Sequence, residues 1–141
     1  MNTETIQDSI SKSKWFKQPI TRVWEAITEN DQVSQWLVPT DFKAEVGSDY
    51  ALKNPEDNCD MVTGTVKHAS PYLLVYSWIN ETAKDVETLV TWELLEEKGG
   101  TLLKMTHSGI ANYQYGVKPK MMEAYTGGWI RCFDNITTLL D

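Results

Sequence analysis

The stretch from Val117 to Asp141 constrains the fold most, because it reads as one long amphipathic helix. Met122, Tyr125, Trp129, Phe133, Ile136 and Leu140 recur at steps of three and four, which puts them on a single face. Lys118, Lys120, Glu123, Arg131, Asp134 and Thr138 fall largely on other faces. From Pro119, a good first helical residue, to Leu140 such a helix is roughly 33 Å long, enough to span a small domain. The stripe is aromatic at its start and aliphatic at its end. Gly127-Gly128 sits in the middle, at about 1 kcal/mol per glycine against alanine. Two readings of the pair stand side by side: a core helix that tolerates it, or a helix that bends or is closely approached there. On the sharper reading the helix lies across a curved sheet and encloses a cavity at its aromatic end.

The chain has 141 residues, the size of one domain with one core, and residues 1–141 are read as a single domain. Its net charge is −7 and its Lys and Arg residues form no cluster, which argues against a nucleic-acid partner and against electrostatic attachment to anionic lipid. No apolar run approaches the ~20 residues of a membrane span, so membrane insertion is not expected. The N-terminus, Met1 to Thr5, is polar and lacks a signal-peptide core. The two cysteines, Cys59 and Cys132, sit in unrelated contexts, as in a cytoplasmic protein with reduced thiols. Six tryptophans and six tyrosines must either be buried or face something.

In chain order, Ser9 to Gln18 reads as an edge strand of imperfect alternation that Pro19 ends. Thr21 is a candidate N-cap for a short helix over Arg22 to Thr28, with Val23, Trp24 and Ile27 on its apolar face. Asp31 can cap a second, in which Val33, Trp36 and Leu37 share a face and Pro39 is the stop. The period then changes to two. Phe42, Ala44 and Val46 alternate with Lys43 and Glu45, and Gly47-Ser48 turns the chain into Tyr50 to Lys53. Strands follow at Met61 to His68, Tyr72 to Ile79, Thr88 to Leu95 and Thr101 to His107. Lys98-Gly99-Gly100 marks a hairpin between the last two. The run of apolar residues from Tyr72 to Ile79 predicts a central, covered strand. Consecutive hairpins give an antiparallel sheet with one wet face, and only the last helix is long enough to cover the other. The fold class is α+β: a curved antiparallel sheet, two short helices and a long C-terminal helix.

The aromatic residues are the main functional signal. Trp78, Trp92, Met105, Met122, Tyr125, Trp129 and Phe133 converge if the helix grips the sheet, with Trp36 and Phe42 near the open end. An apolar pocket of this kind carries a few polar handles, here Tyr76, His107 or Tyr125. Large rings can also fill the space they surround, and the sequence leaves both readings open. His107 shares parity with Leu103 and Met105, so it points inward. It could bond a ligand oxygen or act as a general base, or it could simply bond to the loop that follows its strand. Cys132, between Trp129 and Phe133, reads as a buried, inert thiol. No metal-ligand spacing, no G-x-S-x-G and no glycine-rich phosphate loop is present, so no metal, no cofactor and no catalytic residue is assigned.

A set of fragments then falls into a familiar order. Val23-Trp24-x-Ala26-Ile27-Thr28, Trp36, Asp41-Phe42 and Gly47 open it. Gly64-x-Val66, Pro71-x-x-Leu74 and Tyr76-Ser77-Trp78 follow, then Gly100-Thr101-x-Leu103, His107-Ser108-Gly109 and Gly127-Gly128-Trp129. Across nearly the whole chain this resembles the bacterial branch of the family named after the activator of the heat-shock-protein-90 ATPase. That family belongs to the helix-grip superfamily of lipid-transfer (START) domains, birch-pollen-type allergens and polyketide cyclases. The resemblance implies a deep apolar cavity between helix and sheet. The leading expectation is a binding module for a small hydrophobic molecule (aromatic, lipid-like or polyketide-like), as a monomer or weak homodimer. The alternative is a cyclase- or hydratase-type enzyme using His107 and a tyrosine; turnover of the ligand separates the two. A chaperone cofactor is a remote third, since the named activator has a further domain for which this chain has no room.

Overall fold

In the computed structural model, residues 8–140 are described; the N-terminal segment read above as polar, and Asp141 at the expected helix end, lie outside the described residues. The elements run β1 (Ser9–Phe16), α1 (Ile20–Thr28), α2 (Asn30–Trp36), β2 (Asp49–Lys53), β3 (Asp60–Ser70), β4 (Leu73–Asn80), β5 (Glu87–Glu97), β6 (Gly100–Ser108), a 3-10 turn (Ile110–Asn112) and α3 (Lys118–Leu140). The six strands form one antiparallel sheet in the order β1-β6-β5-β4-β3-β2. Period two decides its faces. On β5, Thr88, Val90, Trp92 and Leu94 are buried while Glu87, Leu89 and Glu93 face out; on β6, Leu103, Met105 and His107 are buried and Lys104 is exposed. Helix α3, 23 residues and so about 35 Å long, covers the inner face. The Gln18 side-chain amide donates to Leu140 O at 2.6 Å and ties down the helix end, and Lys14 Nζ donates to Thr137 Oγ1 at 2.8 Å.

Several local readings are corrected. Residues 42–46 form no strand. Asn30 Nδ2 donates to the carbonyls of Thr40 (2.8 Å) and Phe42 (3.2 Å), and Thr40 Oγ1 donates to Ala51 O at 2.7 Å. These side-chain bonds occupy backbone groups that a ladder would need, leaving only a Thr40–Leu52 bridge. Thr21 does not cap α1, which starts two residues earlier than read, at Ile20: Pro19 holds an extended conformation and its carbonyl accepts from Arg22 N and Val23 N. Asp31 lies inside the first turn of α2, where its charge suits the helix dipole, and Glu29 holds the cap position. On α3 the buried methionine is Met121, four residues before Tyr125, while Met122 is only half-buried at the side of the stripe.

The glycine pair of α3 does not answer to a close approach. A Cβ built at Gly127 or Gly128 meets nothing within 4 Å. Close approach belongs instead to Gly64 on β3, where a Cβ would lie 2.0 Å from Ser77 O and 2.7 Å from the Tyr50 ring. Gly127→Ala is therefore expected to stabilise the protein by about 0.5–1 kcal/mol through helix propensity alone. A urea melt showing a loss would mean that α3 needs a glycine there.

Candidate functional site

The residues under α3 form two groups. The first is a packed aromatic layer. Trp92, on β5, meets Trp36 edge-on at 5.5 Å and Trp129 at 5.8 Å, and stacks on Phe133 at 5.8 Å. Phe42, Tyr50 and Tyr76 form a second cluster with ring separations of 5.4–5.6 Å. Trp92 Nε1 donates to Tyr76 Oη at 3.0 Å, and burial pushes the Tyr76 phenol well above its ordinary value.

The second group is a buried polar chain around His107. Indole N–H can only donate, so Trp129 Nε1, 3.0 Å from His107 Nδ1, makes that nitrogen the acceptor. The proton then sits on Nε2, which donates to Thr88 Oγ1 at 2.7 Å, and Thr88 donates to Trp78 O at 3.2 Å. Burial pushes His107 down to about 3, so the imidazole is neutral. Tyr125 stacks on the same imidazole at 4.7 Å. Its hydroxyl accepts from Trp78 Nε1 and Asn80 Nδ2, both at 3.3 Å, so its own proton goes to Tyr113 Oη at 2.8 Å. Among the described residues no buried side-chain nitrogen or oxygen lacks a partner. His107 is thus inward as read from its parity, but its partners are Thr88 and Trp129 rather than the following loop, and neither ring nitrogen is left for a ligand.

Among the described residues, the opening where these rings meet the surface is a crevice of about 150 Å³ on the flank of α3. Trp36, Leu37 and Val38 at the end of α2 form one wall, Trp78 on β4 the floor, and Ala124, Tyr125, Gly128, Trp129, Arg131, Cys132 and Asn135 the other side. Trp36, Trp78, Tyr125 and Trp129 come together there from the expected set. Phe42, Tyr76, Trp92, Met105, His107, Met122 and Phe133 do not reach it: all but the half-buried Met122 are buried in the core. The rings therefore mostly fill the core and only in part line an opening. The residues that the sequence reading missed carry a faint signal. Ala124, Gly128, Arg131 and Asn135 recur at steps of four, three and four, a row beside the apolar stripe, and its first two members are small. Burial pushes the Cys132 thiol up to about 12, so it stays protonated at neutral pH. Among the described residues no group of three His, Cys, Asp or Glu side chains is placed to hold a metal ion.

An antiparallel sheet gripped by a long C-terminal helix, with an apolar crevice at the helix flank, defines a helix-grip domain. The sequence matches a family model over residues 17–141, and the chain belongs to that family, described as "Activator of Hsp90 ATPase homolog 1-like protein". Its structure is similar to that of protein MLL2253 from Mesorhizobium loti, with a TM-score of 0.83 and 25% identity over 94% of this chain and 96% of that one. Protein BH1534 from Bacillus halodurans is similar at a TM-score of 0.76 and 25% identity, covering 96% of this chain and 98% of that one. PFC0360w, an HSP90 activator from Plasmodium falciparum, shares the fold at a TM-score of 0.77 with 19% identity, covering 95% and 96% of the two chains. No curated protein matches the sequence.

Proposed function

We propose that the protein binds a small hydrophobic molecule in the crevice between the end of α2 and the flank of α3. One observation carries this reading: Trp36, Trp78, Tyr125 and Trp129 all contribute to the lining of one opening of about 150 Å³ beside α3. An opening of about that volume has room for one benzene-sized ring. An aromatic, lipid-like or polyketide-like ligand would place one ring or short chain there. The rest would run past Leu37 and Val38 into the adjoining open groove, where Leu52, Met61 and Val62 supply apolar surface. Two unpaired cysteines fit action in the cytoplasm, and no helix among the described residues is long and apolar enough to cross a membrane. A cyclase or hydratase in the same crevice would need a proton-transfer group, and neither His107 nor the Tyr125 hydroxyl, both committed to the fold, is free to serve.

Gly128 supplies the test. It lines the crevice, and a Cβ there meets nothing within 4 Å, so a side chain starts from open space at the edge of the opening. Toluene and indole at saturating concentration should raise the melting temperature of the natural protein and change its tryptophan emission. A ligand at 100 times its dissociation constant stabilises by about 2.7 kcal/mol. In Gly128→Leu both responses should be lost while the unliganded melt stays put or rises. Undiminished binding in that variant would place the ligand elsewhere, and no response in the natural protein would remove the binding role.

A further inference from the structure

The crevice has one charged residue in its lining. Arg131, on the exposed flank of α3, makes no hydrogen bond or ion pair among the described residues, whereas the chain's other arginine, Arg22, bonds Gln32 and pairs with Glu25. Beside it, Asn135 uses one amide hydrogen on Trp36 O at 3.4 Å and keeps a second. The thiol of Cys132 stays protonated and offers no competing negative charge. The same lining therefore holds four aromatic residues, an arginine with no partner among the described residues, and an asparagine with an amide hydrogen to spare.

We infer that the crevice selects a small arene bearing a carboxylate, with the ring between Trp36, Trp78, Tyr125 and Trp129 and the carboxylate on Arg131. This rests on the crevice being the binding site and adds the chemical class of its ligand. The arene follows from the aromatic residues of the lining, and an opening of about 150 Å³ has room for one ring. The anion is set by geometry and charge, because a guanidinium presents two parallel N–H donors that match the two oxygens of a carboxylate. Four aromatic residues alone would also suit an organic cation, but the charge of Arg131 in the same lining opposes one. The chain carries a net charge of −7, so long-range attraction does not bring an anion in. The preference has to come from contact with Arg131, and it should survive moderate salt better than a steering effect would.

The experiment is a matched set of probes on the whole protein: benzoate, benzamide and benzyltrimethylammonium, titrated at neutral pH and followed by tryptophan emission and amide chemical shifts. Benzoate should bind about three- to tenfold more tightly than benzamide, the advantage of a partly exposed charged contact over a neutral one. Benzyltrimethylammonium should bind most weakly. In Arg131→Gln the affinities for benzoate and benzamide should converge, and Arg131→Lys should restore part of the difference. Equal binding of benzoate and benzamide by the natural protein, or a benzoate preference that persists in Arg131→Gln, overturns the assignment while leaving the crevice as an arene site. The tightest binding by the ammonium compound overturns it in favour of a cation cage. If none of the probes perturbs the natural protein, the binding reading fails and this assignment fails with it.

Discussion

Lowering the pH from 7.5 to 4.5 should cost the fold about 3 kcal/mol through His107 alone. The imidazole is pushed down to about 3 in the fold, from an ordinary value of 6.5. Between those two values the unfolded chain binds a proton that the folded chain refuses. Stability is therefore complete above the unfolded value and is lost as the pH falls through it. The physical reason is that protonation would place a hydrogen on Nδ1, where Trp129 Nε1 already donates, and would bury a charge among Trp78, Tyr125 and Trp129. Urea melts across this range would show the loss, and NMR would show the His107 ring signals constant through the usual histidine range. If that ring titrates near 6.5 in the folded protein, the buried polar chain is not as described.

Trp92→Ala should be the most damaging truncation in the aromatic layer, at about 3–5 kcal/mol. Against a typical total of about 5–15 kcal/mol, this leaves a small domain close to unfolding. Trp92 is fully buried, touches Trp36, Trp129 and Phe133, and gives its N–H to Tyr76. Truncation opens a void at the centre of the helix–sheet interface and strips a buried hydroxyl of its donor. Trp15→Ala is the comparison, since Trp15 lies on edge strand β1 and is 41% exposed. Midpoints that move equally in the two variants would mean that the rings beneath α3 surround loose space instead of a packed core.

The contrast between these two positions also shows what could be read from residues alone. Trp92 and His107 were placed inward by the alternation of their strands, because a strand's side-chain period is fixed by backbone geometry. The α3 stripe was placed by the period of 3.6 for the same reason. Thr88 and Trp129 could not be named as the partners of His107, since they sit on other elements and only strand register and helix docking bring them to it. The failed strand at 42–46 had the right period, yet the side chains of Asn30 and Thr40 took its backbone groups. The crevice was the least legible part. Its walls include Ala124, Gly128, Arg131 and Asn135, which count as solvent-facing in any amphipathic pattern, and Leu37-Val38, which follow a helix end. Their shared property is the volume they leave empty.

The order of the sheet bears on how the chain reaches this state. Strands β2 to β6 are joined as successive hairpins, each to its neighbour in sequence, whereas β1 closes onto β6 with Ser9 opposite Ser108. Entropy of closure grows only logarithmically with loop length, by about 0.6 kcal/mol per doubling, so this long seam takes little from the finished molecule. Its burden falls on time: local hairpins can search for their partners independently, while the first strand must wait for the last before it has an edge to join. Of the six strands described, the one made first is thus the one whose place exists latest.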